Sequence, residues 1–372
     1  MFKKIVALVL CVITAFAVSG CSLFGAPGSV DANPGSTPAA PAEDNTPAEP
    51  PTYYNPLTGI KNLSEEEAEL RPVAVMINNI TDAQAVQTGL NYADIIYETE
   101  VEGGITRLMA VFKNFEAAGQ IGSIRSARYP YVDLALAHDA IYVHCGQDPT
   151  YCAPHLKDIN HMSVDDNIEG AERIKNGLSR EHTLYVFGNK LWKTLTSKFS
   201  GTTSKNDLWQ KFADENETVK LEGEAADRVE IPFPILKTVF EYDKETGLYT
   251  RYSRGKKLAD YVTKDSVTVK NVFILLTKIT DYPDGKHRKV NLSGGEGYYV
   301  TNGTYIPIKW QKGDGNAPIK ITDQNGNAVK VSAGRSWVCI PNSSTCKPVF
   351  EAAVPTETTT TEKTSSTETK KN

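Results

Sequence analysis

The stretch IIYETEVEGGITRLMAVF, Ile95 to Phe112, decides how this chain is read. Its β-branched and aromatic residues, the Gly103-Gly104 break and the second apolar run predict two strands joined by a tight turn. Yet Glu98, Glu100 and Glu102 stand at alternate positions. Successive side chains of an extended chain point to opposite faces, so the three acids are expected to line one face and Tyr97, Thr99 and Val101 the other. Such a row is either a solvated face or the acidic wall of a cleft.

Outward from this point, RPVAVMINN (71 to 79) reads as a further strand, and TDAQAVQTGLNY as a short helix. YPYVDLALAHDA (129 to 140) has apolar residues at helical spacing, AIYVHCG (140 to 146) is strand-like, and LYVFGNKLWKTLTSKF (184 to 199) leads from an extended start into a helix. The later part changes character. VTVKNVFILLTKI, EGYYVTNGTYIPIKW, IKITDQNGNAVKVSAG and RSWVCI are short strands punctuated by Asp284-Gly285, Asn302-Gly303 and Asn325-Gly326, and Asn-Gly between alternating apolar runs signals a hairpin because both residues tolerate positive φ. Trp310 and Trp337 read as core. The expected fold is α/β or α+β: an N-terminal mixed sheet covered by helices over residues 54–220, and a smaller, mostly antiparallel β domain over residues 221–352, with the boundary in the polar stretch ADENETVKLEGEAADR.

The two ends are of another kind. Lys3 and Lys4 precede the apolar run IVALVLCVITAFAV and the small pair Ser19-Gly20, which reads residues 1–20 as a signal peptide, too short to span a membrane. Val18-Ser19-Gly20-Cys21 looks like a bacterial lipobox, in which Cys21 would be lipidated, palmitate being one acyl chain of that kind; each buried methylene adds about 0.8 kcal/mol of membrane affinity. Residues 21–53 and 353–372 are rich in Pro, Ala, Gly, Ser and Thr; such composition does not offset its conformational entropy by burial, so both are expected as disordered tether and tail. The expected location is extracytoplasmic, anchored to the cell membrane through Cys21.

With Cys11 in the signal and Cys21 lipidated, four cysteines remain, Cys145 with Cys152 and Cys339 with Cys346, each pair separated by six residues. Local disulfides are expected; closing loops of this size stabilises by roughly 2.5 kcal/mol. Zinc is the competing reading, but the spacing is not that of a finger or ribbon. The formal net charge of -5 gives no electrostatic footprint for nucleic acid.

Chemistry is sparsely marked. IGSIRSARYPY supplies Arg125, Ser126 and Arg128, which present N–H donors to a carboxylate or phosphate or pair internally with Glu98, Glu100 or Glu102. Paired carboxylates also raise a glycosidase reading, with Glu98 or Glu102 as weak catalytic candidates and a second acid such as Asp133 or Asp139 drawn from another element. His144 beside Cys145 suggests a thiol nucleophile, though a disulfide is the simpler expectation in an exported protein. His155, His161, Asp165 and Asp166 form no compact ligand motif, and no Gly-x-Ser-x-Gly elbow or phosphate loop is present. No metal and no cofactor is expected.

The runs NPLTGI (55 to 60), RPVAVMINN, GLNYADIIYETEVEGGITRLMAVF (89 to 112), IGSIRSARYPYVDLA (121 to 135), DAIYVHCG (139 to 146) and EHTLYVF (181 to 187), together with KNVFILL, GEGYYVTNGTYIPIKW and GRSWVCI later in the chain, resemble the YerB-like lipoproteins of Gram-positive bacteria. The resemblance implies an envelope protein of unassigned activity with an N-terminal α/β domain and a smaller C-terminal domain, with a part in cell-wall assembly or division. Asn78 or Asn79 stands where the family pattern usually has Asp, and GKKLAD (255 to 260) departs from its C-terminal turn. Three readings follow: a binding or scaffold protein holding peptidoglycan or a cell-wall synthesis protein at Glu98, Glu100, Glu102, Arg107, Arg125, Ser126, Arg128 and His144; a glycan or peptidoglycan hydrolase using Glu98 or Glu102; and an assembly factor in which the charges form an internal network. All require the acidic strand and the arginine loop to converge.

Overall fold

A computed structural model describes residues 52–202 and 209–353. The signal peptide 1–20, Cys21, the tether to residue 51 and the tail beyond residue 353 lie outside the described residues.

The N-terminal half contributes β1 (Val73–Asn78), β2 (Ile95–Glu100), β3 (Thr106–Phe112), β4 (Ile141–His144) and β5 (His161–Ser163), with helices α1 (Tyr129–Ala137) and α2 (Gly188–Lys198). The C-terminal half contributes β6 (Arg228–Pro232), β7 (Lys237–Asp243), β8 (Leu248–Ser253), β9 (Asn271–Leu275), β10 (Gly294–Thr301), β11 (Thr304–Lys312) and β12 (Ser336–Ile340). The class is α+β. Residues 80–92 form only two short turns of helix, Thr81–Gln84 and Leu90–Tyr92, where the sequence predicts one helix.

One mixed sheet runs β11-β10-β9-β12-β2-β3-β1-β4-β5. β12 lies parallel to both neighbours, with Ile96 beside Trp337 and Glu98 beside Cys339. β1, β2 and β3 are antiparallel, and β1, β4 and β5 are parallel. Every residue of β1, β2, β3, β9 and β12 is buried, the signature of strands covered on both faces. On one face Ala74, Met76, Tyr97, Met109, Val338 and Ile340 pack with Tyr131, Val132 and Ala135 of α1. On the other, Ile96, Leu108, Val272 and Trp337 meet Val229, Ile231 and Phe240 of a second, antiparallel sheet built on β6, β7 and β8. The β10-β11 hairpin turns at Asn302 (φ 50) and Gly303 (φ 75), as the Asn-Gly signal predicts. Trp310 and Trp337 are both core.

All four cysteines are free thiols, which corrects the expected disulfides. The reason for the first pair is topological: Cys152 belongs to the apolar cluster on the α1 side of the sheet, whereas Cys145 packs against the cluster on the opposite side. In the second pair Cys339 turns its Sγ towards Glu98 Oε2 at 3.9 Å, while Cys346 sits in the turn after β12, its N–H donating to Asn342 O.

Candidate functional site

The row of three acids is not one surface. β2 ends at Glu100, and Glu102 begins a short turn in which Gly103 and Gly104 hold φ of 66° and 76°. Glu98 faces the second sheet. Its Oε1 accepts from Asn79 Nδ2 (3.0 Å) and Thr106 Oγ1 (2.9 Å), its Oε2 from Trp337 Nε1 (3.0 Å), and Thr238 Oγ1 lies 3.0 Å from both oxygens. Thr238 Oγ1 also accepts from buried Arg251, whose guanidinium stacks over the rings of Phe240 and Trp337. Glu98 is thus a buried carboxylate wrapped in donors, with Arg251 as its countercharge one hydroxyl away. This is the arrangement that a buried charge requires.

Glu102 turns the other way. Its carboxylate receives Arg107 Nη2 at 2.8 Å and both Nε (2.8 Å) and Nη2 of Arg128. Arg107 comes from the α1 face of β3 and Arg128 is the residue preceding α1, so strand, turn and helix start are tied at one point. Arg107 also donates to Ser126 O, and Tyr131 of α1 donates to Arg107 O, both at 2.5 Å. Burial alone would raise Glu102, but the Arg128 hydrogen bond and the charges of Arg107 and Arg128 outweigh it and hold the carboxyl at about 2. Burial pushes Arg107 down to about 10, with the Arg128 charge adding to the effect.

Glu100 sits between these two. It is buried, its oxygen 3.9 Å from Arg288 Nε, and burial raises its pKa against the Arg288 charge. Glu100, Glu102 and Arg128 open on a crevice closed by Asp148, Tyr151, Tyr282, His287 and Arg288. Tyr151 and Tyr282 stack at 3.8 Å, and His287 lies between Asp284 (2.6 Å) and Asp148 (3.4 Å). The free volume is about 10 Å³, which is what one water needs. The sequence offered no signal for Asp148, His287 or Arg288, which lie far from the glutamates along the chain.

The remaining candidates lie apart. Arg125 pairs with Glu181 at 2.9 Å, and Ser126 is half-buried beside it. His144 stacks on His161, with Nε2 and Nδ1 3.0 Å apart, while its Nδ1 faces Gly146 O at 2.8 Å. A carbonyl only accepts, so His144 carries its proton on Nδ1 and receives a hydrogen bond from His161. Burial, against the Gly146 carbonyl, holds His144 at about 4. His161 is thereby engaged, and Asp166 pairs with Arg173 and Arg180, so the histidines and aspartates that raised a metal reading are not gathered. Among the described residues no group of three His, Cys, Asp or Glu side chains is placed to hold a metal. No described helix is long and apolar enough to cross a membrane.

Chemically, convergence is partial. Glu102, Arg107, Arg128 and the Ser126 carbonyl come together; Glu98 is on the other side of the sheet. A general acid at neutral pH needs a raised pKa, and Glu102 has the reverse; Glu98 is enclosed by its own donors.

Comparison with known proteins agrees with this architecture. The chain matches the N-terminal domain of a protein family of unknown function (DUF3048) over residues 57–203 and the C-terminal domain of that family over residues 229–338. It is 29% identical over 307 residues to YerB of Bacillus subtilis (strain 168), a protein named as a lipoprotein, covering 77% of this chain and 85% of that one. The crystal structure of the YerB protein from Bacillus subtilis superposes with a TM-score of 0.67 at 27% identity, over 80% of this chain and 99% of that chain. Two matched domains in the same order, on a shared fold, make this chain a member of the YerB-like family.

Proposed function

We propose that the protein is an extracytoplasmic binding or scaffold lipoprotein, tethered to the membrane through acylated Cys21, that engages peptidoglycan or a cell-wall synthesis protein through the surface around Arg125, Ser126 and Arg128. The observation that carries this reading is the saturation of Glu102 by two arginines: the acid serves to fix Arg128 and Arg107 in place, and is not free to move a proton. The lipobox-like segment ending at Cys21 and the lipoprotein name of the Bacillus relative support the tether. The test uses the full chain in detergent with purified wall sacculi. The protein is expected to co-sediment and to release no soluble sugar, and Arg125→Ala is expected to reduce retention several-fold. Sugar release that disappears in Glu102→Gln would overturn the reading in favour of a hydrolase. Unchanged retention in Arg125→Ala would remove the surface from it.

A further inference from the structure

On the far side of Tyr129 from the crevice lies a cleft of about 540 Å³, within the roughly 300–1,000 Å³ typical of small-molecule sites. Three lysines line it, each from a different place in the C-terminal half: Lys278 follows β9, Lys289 lies in the short strand Arg288–Val290, and Lys312 ends β11. Lys278 and Lys289 are exposed, and their ammonium groups have no ion-pair or hydrogen-bond partner among the described residues. Lys312 is buried, donating to Gly315 O at 2.7 Å and Gly313 O at 3.2 Å, which leaves one of its three N–H groups unused. α1 contributes Asp133, half-buried and interacting with the Tyr129 hydroxyl and with the charge of Lys312; Asp314 is a second carboxylate on the lining, and Ser293 adds an exposed hydroxyl.

We infer that this cleft binds a phosphate ester of a polyol or sugar. Separate ammonium groups that line one cleft from different elements act as point charges, which suits a phosphate, whose oxygens accept from several directions. A bare anion site would not place the carboxylates of Asp133 and Asp314 on its wall. Asp133 therefore marks the part of the site that receives ligand hydroxyl groups, with Tyr129 and Ser293 beside it. The site is separate from the Arg125–Arg128 surface, so each stands or falls alone.

The test titrates the full chain in detergent micelles calorimetrically with glucose 6-phosphate, glucose, gluconate and inorganic phosphate. Glucose 6-phosphate is expected to saturate one site per chain, glucose to give no saturable heat, and gluconate and inorganic phosphate each to bind about tenfold more weakly or worse. Lys278→Gln combined with Lys289→Gln changes only exposed side chains, so the melting temperature should hold while affinity for glucose 6-phosphate falls about tenfold. Asp133→Asn should weaken glucose 6-phosphate relative to inorganic phosphate, which loses no hydroxyl contact and gains from removal of a negative charge beside Lys312. Absence of saturable binding, or binding untouched in the double lysine variant, overturns the site. Gluconate or inorganic phosphate binding as tightly as glucose 6-phosphate overturns the ligand class.

Discussion

The indole N–H of Trp337 donates to Glu98 Oε2 at 3.0 Å across 239 residues of chain, joining the two matched family domains through a single buried carboxylate. Trp337→Phe keeps most of the ring volume and removes the donor. A buried acceptor left short of a partner costs about 1–3 kcal/mol. The expected result is a loss of about 2 kcal/mol in urea unfolding, with both domains lost in one transition. A loss below about 0.5 kcal/mol would show that the remaining donors satisfy Glu98 unaided.

Glu102 makes a second prediction, in acid. Its folded pKa of about 2 lies below the ordinary 4.5, so its stabilisation is complete above pH 4.5 and is lost as pH falls towards 2. The contribution is on the order of 2 kcal/mol for a carboxylate that remains partly solvated. Glu102→Gln should be less stable at pH 7, since buried Arg107 loses its countercharge, and should show a flatter stability profile between pH 4.5 and 2. Parallel profiles for wild type and variant over that window would remove the pair from the explanation.

His144 titrates in a different window. Its folded pKa of about 4 lies below the ordinary 6.5, so the unfolded chain takes up the proton first and stability falls as pH drops from 6.5 towards 4. His144→Gln should lose about 2 kcal/mol less than wild type between pH 7 and pH 4.5, by chemical denaturation at each pH. Direct observation of the His144 imidazole by NMR, charged at pH 6, would contradict the assigned hydrogen-bond direction.

The thiols offer a fourth check. Cys145 is half-buried, while Cys152, Cys339 and Cys346 are buried. Burial pushes Cys152 and Cys346 up to about 12 and raises Cys145 and Cys339 as well. Iodoacetamide at pH 8 under native conditions should therefore label Cys145 first and slowly, with the other three reacting only after denaturation. A mass consistent with two disulfides in denatured, unreduced protein would restore the pairing that the sequence spacing suggests.

Much of this architecture was legible beforehand, and the failures have physical reasons. Hairpin turns such as Asn302-Gly303, the helix at Tyr129–Ala137 and the strand-to-helix step at Leu184–Lys198 follow from local rules, which failed at TDAQAVQTGLNY, where two short turns stand in place of one helix. Alternation correctly separated Glu98 from Tyr97, but it does not say what covers each face. Here the second sheet covers the Glu98 face, so an acid that reads as a cleft wall became an internal anchor. The sequence left Arg125 and Arg128 open to Glu98, Glu100, Glu102 or a ligand; Arg128 takes Glu102, while Arg125 takes Glu181, which arrives on a separate turn. Arg251 and Thr238 were invisible as partners of Glu98, since sheet stacking leaves no trace in either segment alone.

β12 occupies the middle of the large sheet and is the last of its strands to be synthesised, hydrogen-bonded to β2 on one side and β9 on the other. Until residue 340 leaves the ribosome, the N-terminal strands present an unfilled edge at β2 and the later strands another at β9. Such long-range parallel pairing is slow to form, and its open edges invite pairing between chains. The final strand of this sheet thus works as a keystone: a fragment stopped before Ser336 should aggregate.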